Sequence, residues 1–286
     1  MRLDLVNMET LIKVNGLKPV TNPILFENGN IPTPDGLLSL EIFGTTSKER
    51  KNNFAYIDLH DYFIHPFVYK QLMRLDRRIE SIVKGTRKFI INEEGQFVED
   101  EENGENGCAW LYKNWSKIKF KRNESNVRNE RITLIEAYDR KVIFTRYWVV
   151  LPAFYRDVNF QNNEQGKLSH NKLTDLYCKL LKYANMLQTS SEFDFLVNAN
   201  KGKIQDTLVE LYNHFKQKLE KKNGLIRKSL MGKSIDYGVR AVIAAPEFRS
   251  NTYDDNIVDF THCAIPIALL CTLFFPFMLH EMRNFF

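Results

Sequence analysis

From residue 171 the sequence changes its hydrophobic period, and that change limits the possible folds more than any other feature. Leu173, Leu176, Tyr177, Leu180, Leu181, Ala184 and Leu187 recur at three- and four-residue intervals, and Ile204, Leu208, Leu211, Phe215 and Leu219 do the same. Such spacing lines one face of an α-helix. Two helices lying as antiparallel neighbours are therefore expected over residues 171–222. Between them, TSSEFDFLVNANKG carries Phe193, Phe195 and Leu196 at the tip, where apolar groups need either a local core or a docking partner.

Upstream the signals are mixed. FAYIDLHDYFIHPFVYKQLMRLDRRIESIV (54–83) begins extended, breaks at Pro66 and continues with Leu72, Leu75, Ile79 and Ile82 at helical spacing. KFIINEEGQFV alternates around Glu-Glu-Gly and predicts a hairpin. ERITLIEAYDRKVIFTRYWVVLP is rich in β-branched and aromatic residues and predicts strands that stop at Pro152. Residues 155–170 predict a polar loop. The whole is an α+β chain.

Composition excludes several classes. At 286 residues, 44% hydrophobic and 13% aromatic, the chain can bury a sizeable core and is not a disordered tail. Cys108, Cys178, Cys263 and Cys271 form no C-x-x-C pair, so neither a disulfide framework nor a zinc ribbon is indicated and buried thiols in a reducing compartment are expected. MRLDLVNMETLIK lacks the pattern of a secretory leader, which predicts a cytoplasmic setting. The net charge of +5 permits a polyanionic partner without requiring one.

Charge is unevenly distributed. NEEGQFVEDEENGEN (92–106) is acidic and reads as a solvated loop or hairpin tip. KNWSKIKFKRNESNVRNER (113–131) is basic with Trp115 and Phe120 interleaved, a pattern that fits either nucleic-acid contact or a solvated strand face beside core aromatics. The densest cationic stretch follows the helices: Lys216, Lys218, Lys221, Lys222, Arg227, Lys228, Lys233 and Arg240, with Gly224 and Gly232 among them. A solvated helix end accounts for the first four. Lys233 and Arg240 lie between a glycine turn and an apolar run, where cations on constrained backbone can grip phosphates.

IRKSLMGKSIDYGVRAVIAAPEF (226–248) resembles the DNA-contacting switch segment and first barrel strand of the largest (β′) subunit of multisubunit DNA-directed RNA polymerases. Other segments follow in that family's order. PDGLLSLEIFGT (34–45) is similar to its N-terminal D-G-L…I-F-G element, and FAYIDLHDYFIHP (54–66) to the strand after its zinc module. VVLPAFYRD (149–157) resembles the approach to its lid, KLTDLYCKLLKYANML (172–187) the first helix of its clamp hairpin, and CAIPIALLCTLFFPF (263–277) its Leu-Phe-x-Pro-Phe run.

The resemblance implies a clamp-like region (1–222) with a lid loop near 157–170 and the helical hairpin 171–222. Residues 223–286 would then be the switch segment and the start of a double-psi β-barrel completed by another chain. It implies DNA contacts through Arg227, Lys228, Lys233 and Arg240, contact with the RNA–DNA hybrid through Arg156, and docking of a sigma-like specificity subunit near Phe193, Phe195 and Leu196. Three departures matter. TTSKERKNN stands where the family carries a four-cysteine zinc module, so no zinc is expected; Gly-Lys-Ser replaces Gly-Lys-Arg in the switch; and the three-aspartate loop that holds catalytic Mg²⁺ is missing. YDDNIVD (253–259) has the wrong order for it. The pattern is similar to the split polymerase subunits of large bacteriophages, which implies a separate β′ C-terminal chain holding Mg²⁺, one or more β chains, DNA template and nascent RNA as partners, in the host cytoplasm or the virion. The apolar run 264–279, interrupted by Pro266 and Pro276, then faces a partner chain, a membrane anchor being the alternative.

Overall fold

The computed structural model describes residues 5–27, 31–156, 159–160, 168–169, 171–189, 194–232, 235–242 and 264–286. The chain divides into two units, Met1–Gln217 and Lys218–Phe286. It is a mixed α+β structure with small sheets.

The first unit opens with α1 (Met8–Asn15), β1 (Lys18–Pro19), the antiparallel pair β2 (Phe26–Glu27) and β3 (Ile31–Pro32), and the short helices α2 (Leu40–Phe43) and α3 (Ser47–Asn52). Its spine is β4 (Ala55–Ile64). Ala55, Ile57 and Leu59 alternate inward, as a half-buried strand requires. β4 pairs parallel with β1 and antiparallel with β7 (Phe144–Val150), giving the sheet order β1-β4-β7. Register shifts mid-strand: Asp58 faces Tyr147 but Phe63 faces Thr145. This bulge places His60 at φ +61°, the left-handed region that a non-glycine residue rarely enters. The Asp58 carboxylate holds the turn, accepting from the His60 N–H (2.8 Å) and from Arg146 Nε and Nη2 (3.1 and 3.2 Å).

Pro66 ends the strand and starts α4 (Pro66–Leu75), a position where the missing N–H leaves no bond unmade. His65 caps it: Nδ1 accepts the Phe67 N–H at 3.3 Å. The expected apolar stripe is present, with Leu72, Leu75, Ile79 and Ile82 all buried, but it runs over two helices. Asp76 interrupts it by accepting the Arg78 N–H (2.9 Å), and α5 (Arg78–Val83) follows.

The hairpin read from KFIINEEGQFV is β5 (Phe89–Ile91) against β6 (Phe97–Glu99). Next comes α6 (Gly107–Asn114). The expectation of strands throughout 130–152 is corrected. Residues 130–136 lie in α7 (Asn126–Glu136), α8 (Arg140–Ile143) follows, and only β7 is extended. Ile132 and Ile135 are three apart and both buried, so tertiary burial on one helix face overrides the β preference of Ile and Thr. The basic stretch 113–131 is likewise not a strand face. Trp115 and Phe120 are half-buried against the core, Trp115 edge-on to Phe144 at 5.2 Å.

After the backbone pair β8 (Asn159–Phe160) and β9 (Leu168–Ser169) come α9 (Lys172–Thr189) and α10 (Asp194–Leu219). The read faces are the buried ones: Leu173, Leu176, Tyr177, Leu180, Leu181 and Ala184 on α9, and Ile204, Leu208 and Leu211 on α10, whereas Leu219 is exposed. Each such side chain stabilises the core by about 1.5–3 kcal/mol. Gln205 ties α10 to the open side of β4, its side-chain oxygen accepting the Ile64 N–H (3.0 Å) while its amide donates to the Ile64 carbonyl (2.9 Å). A two-point side-chain contact thus completes the main-chain pairing that a third strand would make there.

In the second unit a single π-helical turn covers Ile226–Leu230, and α11 (Ile267–Leu273) and α12 (Phe275–Phe285) form the C-terminal part. The expected first barrel strand lies almost wholly outside the described residues.

Candidate nucleic-acid interface

Four segments read separately in the sequence meet in the first unit, and Arg156 lies at their junction. Its guanidinium is fully buried. Nε donates to the Leu151 carbonyl (2.7 Å), Nη2 donates to the Leu37 carbonyl (2.6 Å), and the guanidinium stands 4.7 Å from the Phe43 ring centre. Its own carbonyl accepts from the Thr174 hydroxyl of α9 at 3.2 Å. One helical turn on, the Tyr177 hydroxyl donates to Val149 O (3.3 Å) and accepts the Leu151 N–H (3.4 Å). Arginine 156 therefore links 34–45, 149–157 and 172–187, with 54–66 as the strand paired to β7. Expected from the resemblance to contact the RNA–DNA hybrid, Arg156 here has its guanidinium at zero exposure, turned onto main-chain carbonyls and an aromatic face, and packs as part of the core.

The D-G-L…I-F-G residues have physical reasons to be what they are. A Cβ at Gly36 would lie 1.8 Å from Thr33 Oγ1, so only glycine lets the chain pass. Ser39 caps α2, its hydroxyl accepting the N–H groups of Glu41 and Ile42 (3.2 Å each). Gly44 takes φ +84° against the Glu49 side chain, and Thr46 with Glu49 forms a reciprocal capping box at the head of α3. The hydrogen bonds from Thr46 and Thr45 hold the exposed Glu49 carboxyl below its ordinary pKa.

The cationic stretch is placed in the second unit. Arg227 and Lys228 are exposed on the π turn, and Arg240 is exposed beyond it. Lys233 lies outside the described residues. Gly224 permits a tight chain reversal, since a Cβ there would sit 2.1 Å from Glu220 O. At the other predicted site, Leu196 is 48% exposed on α10; Phe193 lies outside the described residues, and Phe195 is placed in the helix without a described side chain.

Among the described residues no three His, Cys, Asp or Glu side chains gather as a metal site would need, and YDDNIVD lies outside them. Burial raises the Cys108 thiol to about 12 and the half-buried Cys178 to about 11, so both are inert thiols. Cys271 is half-buried, and Cys263 lies outside the described residues. No described helix is long and apolar enough to cross a membrane. Yet no residue of α11 or α12 is buried, with Ile267 at 78%, Phe277 at 68% and Phe285 at 87% exposure.

Sequence reasoning missed the bulge that carries Asp58, His60 and Arg146. No local signal marks it, because HDY inside an alternating strand reads as polar positions facing solvent. For Arg156 a signal existed: it closes the otherwise apolar run 149–155.

By comparison with known proteins, the chain is similar over part of its length to the largest subunits of DNA-directed RNA polymerases. It is 34% identical over 119 residues to the DNA-directed RNA polymerase I subunit rpa1 of Dictyostelium discoideum, covering 36% of this chain and 7% of that protein. To the DNA-directed RNA polymerase subunit beta′ of Malacoplasma penetrans it is 28% identical over 136 residues (46% and 9%), and to that of Acholeplasma laidlawii 27% over 183 residues (54% and 12%). No family model matches the chain. What it resembles is a region of a polymerase largest subunit, the aligned part being about a tenth of those relatives' length.

Proposed function

We propose that the chain is a β′-type portion of a multisubunit DNA-directed RNA polymerase, of the split kind found in large bacteriophages, acting in the host cytoplasm or the virion. The observation that carries the reading is the convergence on Arg156. Four of the segments that resemble that family, 34–45, 54–66, 149–157 and 172–187, pack together in the first unit through the bonds around it and the β4–β7 pairing, and the chain is similar to polymerase largest subunits over part of its length.

In this reading residues 1–222 form the clamp side of the enzyme, with 171–222 as its helical hairpin. Residues 223–286 carry the switch and begin a double-psi β-barrel that another chain completes. Arg227, Lys228, Lys233 and Arg240 hold template phosphates, which positions the strand without reading its sequence. On the strength of the resemblance, the nucleotidyl-transfer chemistry is assigned to Mg²⁺-holding aspartates of a companion β′ C-terminal chain, and no zinc is assigned to this one. The apolar surface of α11 and α12 fits burial against that companion better than a bilayer, given the length of both helices. One or more β chains, DNA template and nascent RNA complete the set of partners.

In the assembled enzyme, Lys233→Ala with Arg240→Ala should lower RNA synthesis at least about tenfold while the complex still co-purifies, because two charge-assisted contacts are lost. Undiminished synthesis would remove the assigned roles. A sigma-like subunit is placed at Phe193, Phe195 and Leu196. Serine at all three should abolish promoter-specific initiation and spare synthesis on nicked DNA, and normal promoter use would reject the placement.

A further inference from the structure

We propose that a cationic cleft in the first unit, between the α4–α5 turn, the β5–β6 hairpin and residues 119–121, binds the phosphodiester backbone of nucleic acid. The cleft encloses about 320 Å³, and its lining brings together Arg77, Arg78, Lys119, Lys121 and Arg128 with Asp76 as the single acid. These cations come from three separate stretches of sequence. Only part of the set falls in the basic run 113–131.

Two of the five hold the walls of the cleft together, and the other three line it with exposed side chains. The Arg78 guanidinium grips Asp76 (Nη2 to Oδ2, 2.7 Å) and the Phe97 carbonyl, joining α5 to the hairpin. Arg128 donates from Nε to Lys121 O and from Nη1 to Leu75 O, each at 3.0 Å, which fixes residue 121 against the end of α4. The remaining wall is set by Gly95 at φ +79°, whose carbonyl accepts the Lys119 N–H at 3.0 Å. A Cβ at Gly95 would come within 2.5 Å of Lys117 O, so the hairpin turn and residues 117–119 approach as closely as backbone permits.

Arg77 and Lys119 are exposed and make no ion pair among the described residues. Lys121 meets Glu94 at 3.0 Å, but both side chains are about two-thirds exposed (70% and 66%). A pair this exposed is held weakly and yields readily to a phosphate. A rigid floor of hydrogen-bonded guanidinium groups beneath three available cations is the arrangement that phosphate oxygens need. An acidic protein segment would want apolar anchors as well, and the cleft has little beyond the half-buried Phe120 to offer. The site lies in a different unit from Arg227, Lys228 and Arg240, so it stands whether or not the chain works in a polymerase.

The test is equilibrium binding of a fluorescent DNA duplex to the full chain across a salt series, comparing the wild type with Arg77→Glu plus Lys119→Glu. Lys179→Glu plus Lys182→Glu, on the exposed side of α9, is the charge-matched control. The cleft variant should bind about tenfold more weakly, and the slope of log affinity against log salt should fall by about 2. The control should stay within about twofold of the wild type. Should charge reversal disturb folding, Arg77→Gln plus Lys119→Gln should reduce the slope by the same amount. Equal losses in cleft and control variants would overturn the proposal. So would displacement of the duplex by polyglutamate as effective, per charge, as by unlabelled DNA, or by inorganic phosphate at matched ionic strength.

Discussion

Arg156→Ala is expected to destabilise the first unit by about 4 kcal/mol. Two charge-assisted hydrogen bonds would go, leaving the carbonyls of buried Leu37 and half-buried Leu151 without their donor, and a cavity would open beside Phe43 and Tyr177. Each such bond contributes about 1.5–3 kcal/mol, with the cavity adding to the loss. Lysine restores the charge but not the fork, so Arg156→Lys should recover less than half of it. Denaturant unfolding of the full chain, followed by the fluorescence of Trp110 and Trp148, both buried in the first unit, reads the effect. An arginine that served mainly to touch an RNA–DNA hybrid would give the opposite outcome: unfolding unchanged and nucleic-acid affinity reduced. The distinction matters because Arg156 joins the segments on which the polymerase reading rests.

The second large effect concerns pH. Desolvation by burial lowers His65 from 6.5 to about 4, and the neutral ring is the form that the fold uses, since Nδ1 must be unprotonated to cap α4 through the Phe67 N–H. The unfolded chain takes up this proton near 6.5 and the folded chain only near 4. The stabilisation is therefore complete above pH 6.5 and declines as pH falls through the window to about 4, by about 3 kcal/mol in all. His65→Asn keeps an acceptor at the cap and removes the titration. Unfolding free energies measured across this window should lose about 3 kcal/mol less in the variant than in the wild type; parallel curves would exclude His65 as the source.

How far the sequence disclosed this structure depended on where the deciding contacts lie. The faces of α9 and α10 were legible because burial at a 3.6-residue period is a local pattern, and the β5–β6 hairpin because its turn chemistry is local too. α7 hides from a local reading because Ile132, Thr133 and Ile135 carry β preference, while the face that Ile132 and Ile135 share is buried by elements distant in sequence. The β4 bulge depends on Arg146, 88 residues away from Asp58, and the burial of Arg156 on Leu37, 119 residues away, so neither shows in a window of any practical width. The cationic stretch around Arg227 and Arg240 could be read as exposed from composition alone. Its ligand could not, since phosphate chemistry is shared by every nucleic acid. In the cleft beside the β5–β6 hairpin, Arg77 and Arg78 come from a helix turn that nothing in the basic run 113–131 points to.

The most direct measurement is co-purification of the tagged chain from cells expressing candidate β′ C-terminal and β chains, followed by RNA synthesis on nicked DNA. A stoichiometric complex whose synthesis disappears when this chain is omitted is the expected result. A polypeptide that purifies alone as a soluble monomer, joins none of those chains and leaves their activity unaltered would contradict the assignment.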